Sequence, residues 1–166
     1  LKPNIIYPMK PNRHLWWLII IILIIIGIIV YGLWRANHRG PRFMADSELV
    51  LPDGSQVQIA LLTTKAEKYR GFSGMRQPCP DCGLLFVWPA LYQPVIVMRD
   101  MLFPLDLVWL RDKQIVQLTL NIQPEEGEKS ELTKYEPSEP IDAVLEVPAG
   151  FAGRHNLKIG QFVDWH

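Results

Sequence analysis

Hydrophobic and polar positions divide this chain into two unlike stretches. The first begins at Leu15, ends at Trp34 and carries no charge. It opens with Leu15-Trp16-Trp17-Leu18, continues as isoleucine and valine from Ile19 to Val30 interrupted only by Leu23 and Gly27, and closes with Tyr31, Gly32, Leu33 and Trp34. At a rise of about 1.5 Å per residue, about 20 residues cover roughly 30 Å, the hydrocarbon thickness of a bilayer. Aromatic rings at both ends suit headgroup depth. A chain in lipid must also pair its backbone groups internally, which a helix does. A cleaved signal peptide would have an apolar core of about 7–15 residues closed by a small-residue site, and Trp34-Arg35-Ala36-Asn37-His38 offers none. The pattern predicts an uncleaved signal anchor over residues 15–34, with the lipid bilayer as its partner. A short N-terminus (1–14) precedes it and a polar linker (35–46) follows.

Beyond the linker the period falls to two. Residues 47–51 read as a strand, Pro52-Asp53-Gly54-Ser55 as a tight turn, and Val57, Ile59 and Leu61 alternate with Gln56, Gln58 and Ala60 as in a half-buried strand. Together these predict an opening hairpin. Thr64 and Glu67 match a capping box, so a short helix should run to about Arg70 and stop at Gly71. Further strands are predicted at 84–88, 95–98, 105–110 and 114–120, the last two joined by Arg111-Asp112-Lys113. Residues 121–140 hold six glutamates and three prolines and read as a solvated loop. Residues 142–147 return to strand character, 149–156 could hold a helical turn, and 161–165 form a last short strand. The expected fold is mainly β (α+β): a small antiparallel barrel- or sandwich-like domain over 47–166 with one or two short helices.

Composition narrows the function classes. Seventeen basic residues balance 17 acidic ones, so there is no cationic excess to attract phosphates and no nucleic-acid partner is expected. The 166 residues, less the apolar run, suffice for one compact domain. Cys79-Pro80-Asp81-Cys82 could be a redox pair, half a zinc site or a structural disulfide. Zinc needs four ligands, and His14, His38, His155 and His166 are scattered, so no metal or cofactor is expected. A redox CxxC normally opens a helix, whereas this one precedes an apolar strand. A disulfide tightening a loop is the simplest assignment, and it would favour an extracytoplasmic domain. No nucleophile elbow, phosphate loop or metalloprotease motif occurs, and no catalytic residue is identified. Asp106 sits among apolar neighbours in Phe103-Pro104-Leu105-Asp106-Leu107-Val108-Trp109. Burying it unpaired would be costly, and Arg99 with Asp100 could supply a charge partner.

Four blocks in order resemble the domain of unknown function 192 family (uncharacterised protein family 0127). They are Tyr69-Arg70-Gly71-Phe72-Ser73-Gly74-Met75-Arg76, Gly83-Leu84-Leu85-Phe86-Val87-Trp88, the stretch from Val97-Met98-Arg99-Asp100 through Pro104-Leu105-Asp106, and Val144-Leu145-Glu146-Val147 followed by Leu157-Lys158-Ile159-Gly160-Gln161. The resemblance spans about residues 48–165. Where the family has Trp-Met-Lys-Asn-Thr, this chain has Val97-Met98-Arg99-Asp100-Met101: a cation is kept, while the amide becomes an acid. The resemblance implies a compact antiparallel β fold, often exported behind a signal peptide or anchor. It also breaks a tie of flanking charges, Lys2, Lys10 and Arg13 before the helix against Arg35, Arg39 and Arg42 after it. The N-terminus is then cytoplasmic and the domain lies outside the cytoplasmic membrane.

The expectation is a single-pass protein displaying a non-enzymatic binding or accessory domain. Met98, Arg99, Asp100 and Asp106 are the ligand-binding candidates, for a small molecule or a protein. Two rivals stand beside it: a membrane-tethered thiol-disulfide oxidoreductase or hydrolase using Cys79 and Cys82 or the Asp106 region, and a structural subunit of a membrane complex with Trp88 and Trp109 at an interface.

Overall fold

The structure, a computed structural model, describes residues 13–37, 43–76, 79–128 and 131–166. The chain divides into two compact units, Leu1–Arg39 and Gly40–His166.

In the first unit, α1 (Arg13–Asn37) is a continuous helix of 25 residues, a few residues longer at each end than the apolar run itself. Its stretch Trp16–Leu33 has a mean hydropathy of 2.9 and no buried residue. Apolar side chains on every side of a helix call for apolar surroundings rather than water. Among the described residues, α1 is the one helix long and apolar enough to cross a membrane. Lys2, Lys10, Arg39 and Arg42, which the charge comparison needs, lie outside the described residues, as does most of the N-terminal tail.

The second unit is built on a seven-stranded sheet in the order β5-β4-β6-β3-β2-β1-β7. The opening hairpin forms as its alternation requires: β1 (Ser47–Val50) pairs antiparallel with β2 (Gln56–Leu62). Helix α2 (Lys65–Arg70) follows, with the capping box complete. The Glu67 amide donates to Thr64 Oγ1 at 3.3 Å, and the Thr64 amide donates to Glu67 Oε2 at 2.9 Å. Then come β3 (Cys82–Tyr92), β4 (Leu105–Arg111), β5 (Gln114–Ile122), β6 (Ile141–Pro148), the short α3 (Phe151–Arg154) and β7 (Asp164–Trp165).

One pairing departs from the antiparallel expectation, because β2 and β3 run parallel. A parallel pair needs a long crossover, and the stretch holding α2 and the cysteine loop supplies it. The strand expected at 95–98 does not form. Pro94 offers no amide, and only Ile96 pairs there, in an isolated bridge with Tyr135. At the far edge, backbone bonds from Gly160 to Ile115, from Ile115 to Gln161 and from Val163 to Lys113 draw the chain from β5 towards β7. The sheet therefore curls into a half-barrel.

Both faces of the sheet are covered. One packs Ile59, Leu85, Val108, Leu145, Val147 and Phe151; the other packs Phe72, Leu84, Phe86, Leu107, Trp109 and Val144. Trp109 is fully buried, and its indole N–H donates to Thr119 Oγ1 at 2.9 Å, so it belongs to the core and not to an outer interface. Gly83 is where β3 and β6 press together: a Cβ there would meet Glu146 O, Leu145 and Val147, each at 2.9 Å.

Candidate functional site

Register decides which face each acidic side chain of the central strands serves. Asp106 on β4 stands opposite Val147, and Leu107 opposite Glu146. On its other side Glu146 stands opposite Leu84 of β3. Glu146 therefore lies between two leucines, on the face covered by Phe72 and Phe86, and is only 5% exposed. No side-chain hydrogen bond or ion pair within the described residues reaches its carboxyl, yet no buried polar atom there is sealed off without a partner. The two facts agree because the carboxyl lines a cavity of about 270 Å³.

The deep wall of that cavity is apolar and buried: Phe72, Phe86, Met101 and Leu105 surround the acid. Its outer wall is cationic, with Lys68, Arg70, Arg99 and Lys134. Burial in this apolar setting pushes the Glu146 carboxyl up to about 8, so the acid is largely protonated at neutral pH. Desolvation likewise lowers Lys68 below the usual lysine range.

The cap over the acid is set locally. Helix α2 ends at Gly71, whose φ of 47° and ψ of −136° fall in a region that strains any residue with a side chain. A Cβ at Gly71 would sit 3.4 Å from the Phe86 ring and 3.7 Å from Glu146 Oε2. Glycine therefore permits the turn, and an added Cβ would sit in ordinary contact with the ring and the carboxyl. Arg99 ties the turn down: its guanidinium donates to Tyr69 O at 2.5 Å and to Ser73 Oγ at 3.1 Å, and lies 4.1 Å from the centre of the Tyr69 ring. Ser73 Oγ donates to Arg99 O at 2.8 Å, and the Gly74 amide to Asp100 O at 2.8 Å. Lys68 donates to Val87 O and lies 4.8 Å above Trp88. Arg70 and Lys134 make no ion pair or side-chain hydrogen bond among the described residues.

The four candidates from the sequence fall in different places. Arg99 lines the cavity. Met98 is buried in the core beside it. Asp100 is exposed, takes φ 54° and lies 3.7 Å from the Arg99 guanidinium. Asp106 is 1% exposed and faces away from the cavity. Arg99 is not its partner: the Asn121 amide donates to Asp106 Oδ1 at 2.8 Å, and the Ala152 amide of α3 donates to Oδ2 at 3.1 Å. The acid satisfies one strand end and the first turn of α3. Glu146 is not among the four, yet Val144-Leu145-Glu146-Val147 carries the same signal as the Asp106 segment, a carboxylate inside an apolar run.

Cys79 and Cys82 form a disulfide, with Cα atoms 5.3 Å apart. Cys82 opens a strand, not a helix. Their loop is clamped from outside: Arg154 donates to Pro80 O at 2.7 Å, and His155 Nε2 lies 3.1 Å from Asp81 Oδ1. Ser55 Oγ is 3.3 Å from His155 Nδ1 but donates to Asp53 Oδ1 at 2.6 Å. Its proton goes to a carboxylate and not to the imidazole, so the grouping works as a clamp and not as a nucleophile–base pair. Among the described residues, no group of three or more His, Cys, Asp or Glu side chains could hold a metal ion.

Residues 49–165 match the model of the DUF192 family, described as an uncharacterised ACR. No curated protein matches the chain. Two crystal structures share its fold. A protein described as a candidate transcription regulator from Sinorhizobium meliloti 1021 is 22% identical, with a TM-score of 0.65 over 75% of this chain and 98% of that one. A protein of unknown function from Novosphingobium aromaticivorans is 24% identical, with a TM-score of 0.63 over 72% of this chain and 83% of that one. At these identities the likeness speaks for the fold alone.

Proposed function

We propose, on the premise that this chain belongs to the DUF192 family, that it is a membrane-anchored small-molecule-binding protein whose ligand enters the cavity around Glu146. One observation carries the reading. A carboxyl 5% exposed among leucines and phenylalanines, with no side-chain partner, faces the cavity. The carboxyl keeps access to the cavity, so water meets it in the empty site, and a ligand group that pairs with it takes the place of that water. The rest of the cavity fits a binding role: an apolar interior, a few convergent polar groups and a perturbed acid.

The anchoring half of the proposal rests on α1, apolar over Trp16–Leu33. The Cys79–Cys82 disulfide supports an oxidising compartment for the domain, which would place it outside the cytoplasmic membrane. A membrane-impermeant thiol reagent tests this half on intact cells. Labelling of Cys79 and Cys82 after mild reduction supports the topology, and labelling only after lysis contradicts it. The binding half is tested by thermal shift of the full chain in detergent against small acids, alcohols, amides and amines, beside a Glu146→Leu variant. At least one compound should stabilise the parent chain and not the variant. A panel that stabilises neither, or both equally, contradicts the reading.

A further inference from the structure

Resting on the proposed cavity, we infer that its ligand is a small amphipathic anion: a ring-sized apolar body with an uncharged hydrogen-bonding group turned inward to Glu146 and an acidic group turned outward to Arg70 and Lys134. Three features of the cavity lead there. The first is size. A cavity of roughly 150 Å³ holds benzene, so about 270 Å³ admits one substituted ring or an equivalent short chain.

The second is the asymmetry of charge. Four cations line the cavity against the single acid Glu146. Lys68 and Arg99 spend their donors on Val87 O, Tyr69 O and Ser73 Oγ, whereas Arg70 and Lys134 pair with nothing among the described residues. Two uncommitted cations at the open side of a cavity attract an anion, and in part-exposed surroundings such pairs add modest affinity.

The third is the inner end. An ammonium placed against Glu146 would have to shed its water among Phe72, Phe86 and Leu105, and a buried ion pair seldom repays that cost without further hydrogen bonds. Among the described residues, no side chain hydrogen-bonds to the Glu146 carboxyl to help offset that cost, and Ser73 already donates to Arg99 O. A neutral hydroxyl or carbonyl needs only one hydrogen bond. The acid is protonated at neutral pH, so it can donate to such a group as well as accept from it.

The probes are 4-hydroxybenzoate, phenol and tyramine, titrated calorimetrically into the full chain in detergent at pH 7. The parent chain should bind 4-hydroxybenzoate more tightly than phenol, and tyramine least. Arg70→Ala with Lys134→Ala should weaken 4-hydroxybenzoate roughly fivefold to tenfold and leave phenol unchanged. Glu146→Gln, which keeps a neutral donor and acceptor, should retain 4-hydroxybenzoate, and Glu146→Leu should lose it. Tyramine binding best, with loss in Glu146→Gln, overturns the anion assignment while leaving the cavity as a binding site. No Glu146-dependent binding by any probe overturns this inference, while the broader thermal-shift panel separately decides whether the cavity binds anything.

Discussion

Asp106 and Glu146 stand on adjacent strands one step out of register, Asp106 opposite Val147 and Glu146 opposite Leu107, so the two acids serve opposite faces of one sheet. Both are almost fully buried, yet their circumstances are reversed. Asp106 receives two backbone amides and is satisfied by the fold. Among the described residues the Glu146 carboxyl receives none, and it opens on the cavity. The first is a structural acid and the second is the candidate for function.

Stability should fall as pH rises because of Glu146. Its folded value is raised from 4.5 to about 8, so between those limits the folded chain holds one proton that the unfolded chain has released. Stability then drops with increasing pH, by on the order of 1 kcal/mol per pH unit, and levels off above about 8. Glu146→Gln removes that proton exchange. Denaturant unfolding from pH 5 to 8 should therefore show a downward slope in the parent chain that is flatter in the variant; parallel slopes would count against a buried neutral acid. Lowered acids such as Asp53, Asp81 and Asp164 act the opposite way and lose their contribution only below this window.

Asp106→Ala should be among the most damaging single changes. It strands the Asn121 and Ala152 amides and unpins α3, for a loss of roughly 3–4 kcal/mol. Asp106→Asn keeps an acceptor and should cost less. Equal, small losses for both would mean that the two amides find water instead.

Gly71→Ala tests the cap over the cavity. The positive φ of 47° disfavours alanine by about 1–3 kcal/mol, and the added carbon lies 3.7 Å from the Glu146 carboxyl. The variant should lose stability and bind the probe acid more weakly. Unchanged binding would place the ligand elsewhere.

Replacing Cys79 and Cys82 with serine opens a loop of only a few residues. Chain-entropy reasoning gives a cost of about 2 kcal/mol, visible as a lower Tm that the parent chain reproduces on reduction. No change on reduction would show that the Arg154 and His155 contacts hold the loop unaided.

Much of this was legible in the sequence where the signal is local. The uninterrupted apolar run gave α1, the alternation of Val57, Ile59 and Leu61 gave β2, and Thr64 with Glu67 gave the start of α2. Asp106 was recognisable as a buried acid, but its partners were not. Arg99 lies close in sequence, while the amides that reach Asp106 come from Asn121 and Ala152, brought together only by the sheet and α3. Glu146 escaped for the same reason. Val144-Leu145-Glu146-Val147 marks it, like Asp106, as an acid in an apolar run, but only the register against Leu84 and Leu107 puts it on the cavity face. The parallel β2–β3 pair and the missing strand at 95–98 are likewise non-local outcomes, settled by the crossover and by the Ile96–Tyr135 bridge.

The most direct test of the central claim is carboxyl carbon NMR of the full chain in detergent, with glutamate labelled and Glu146→Gln used to assign the signal. One glutamate signal, absent from the variant, should titrate at about 8 and move when 4-hydroxybenzoate is added. A Glu146 signal that titrates in the ordinary range near 4.5 and ignores every small molecule offered would contradict the account.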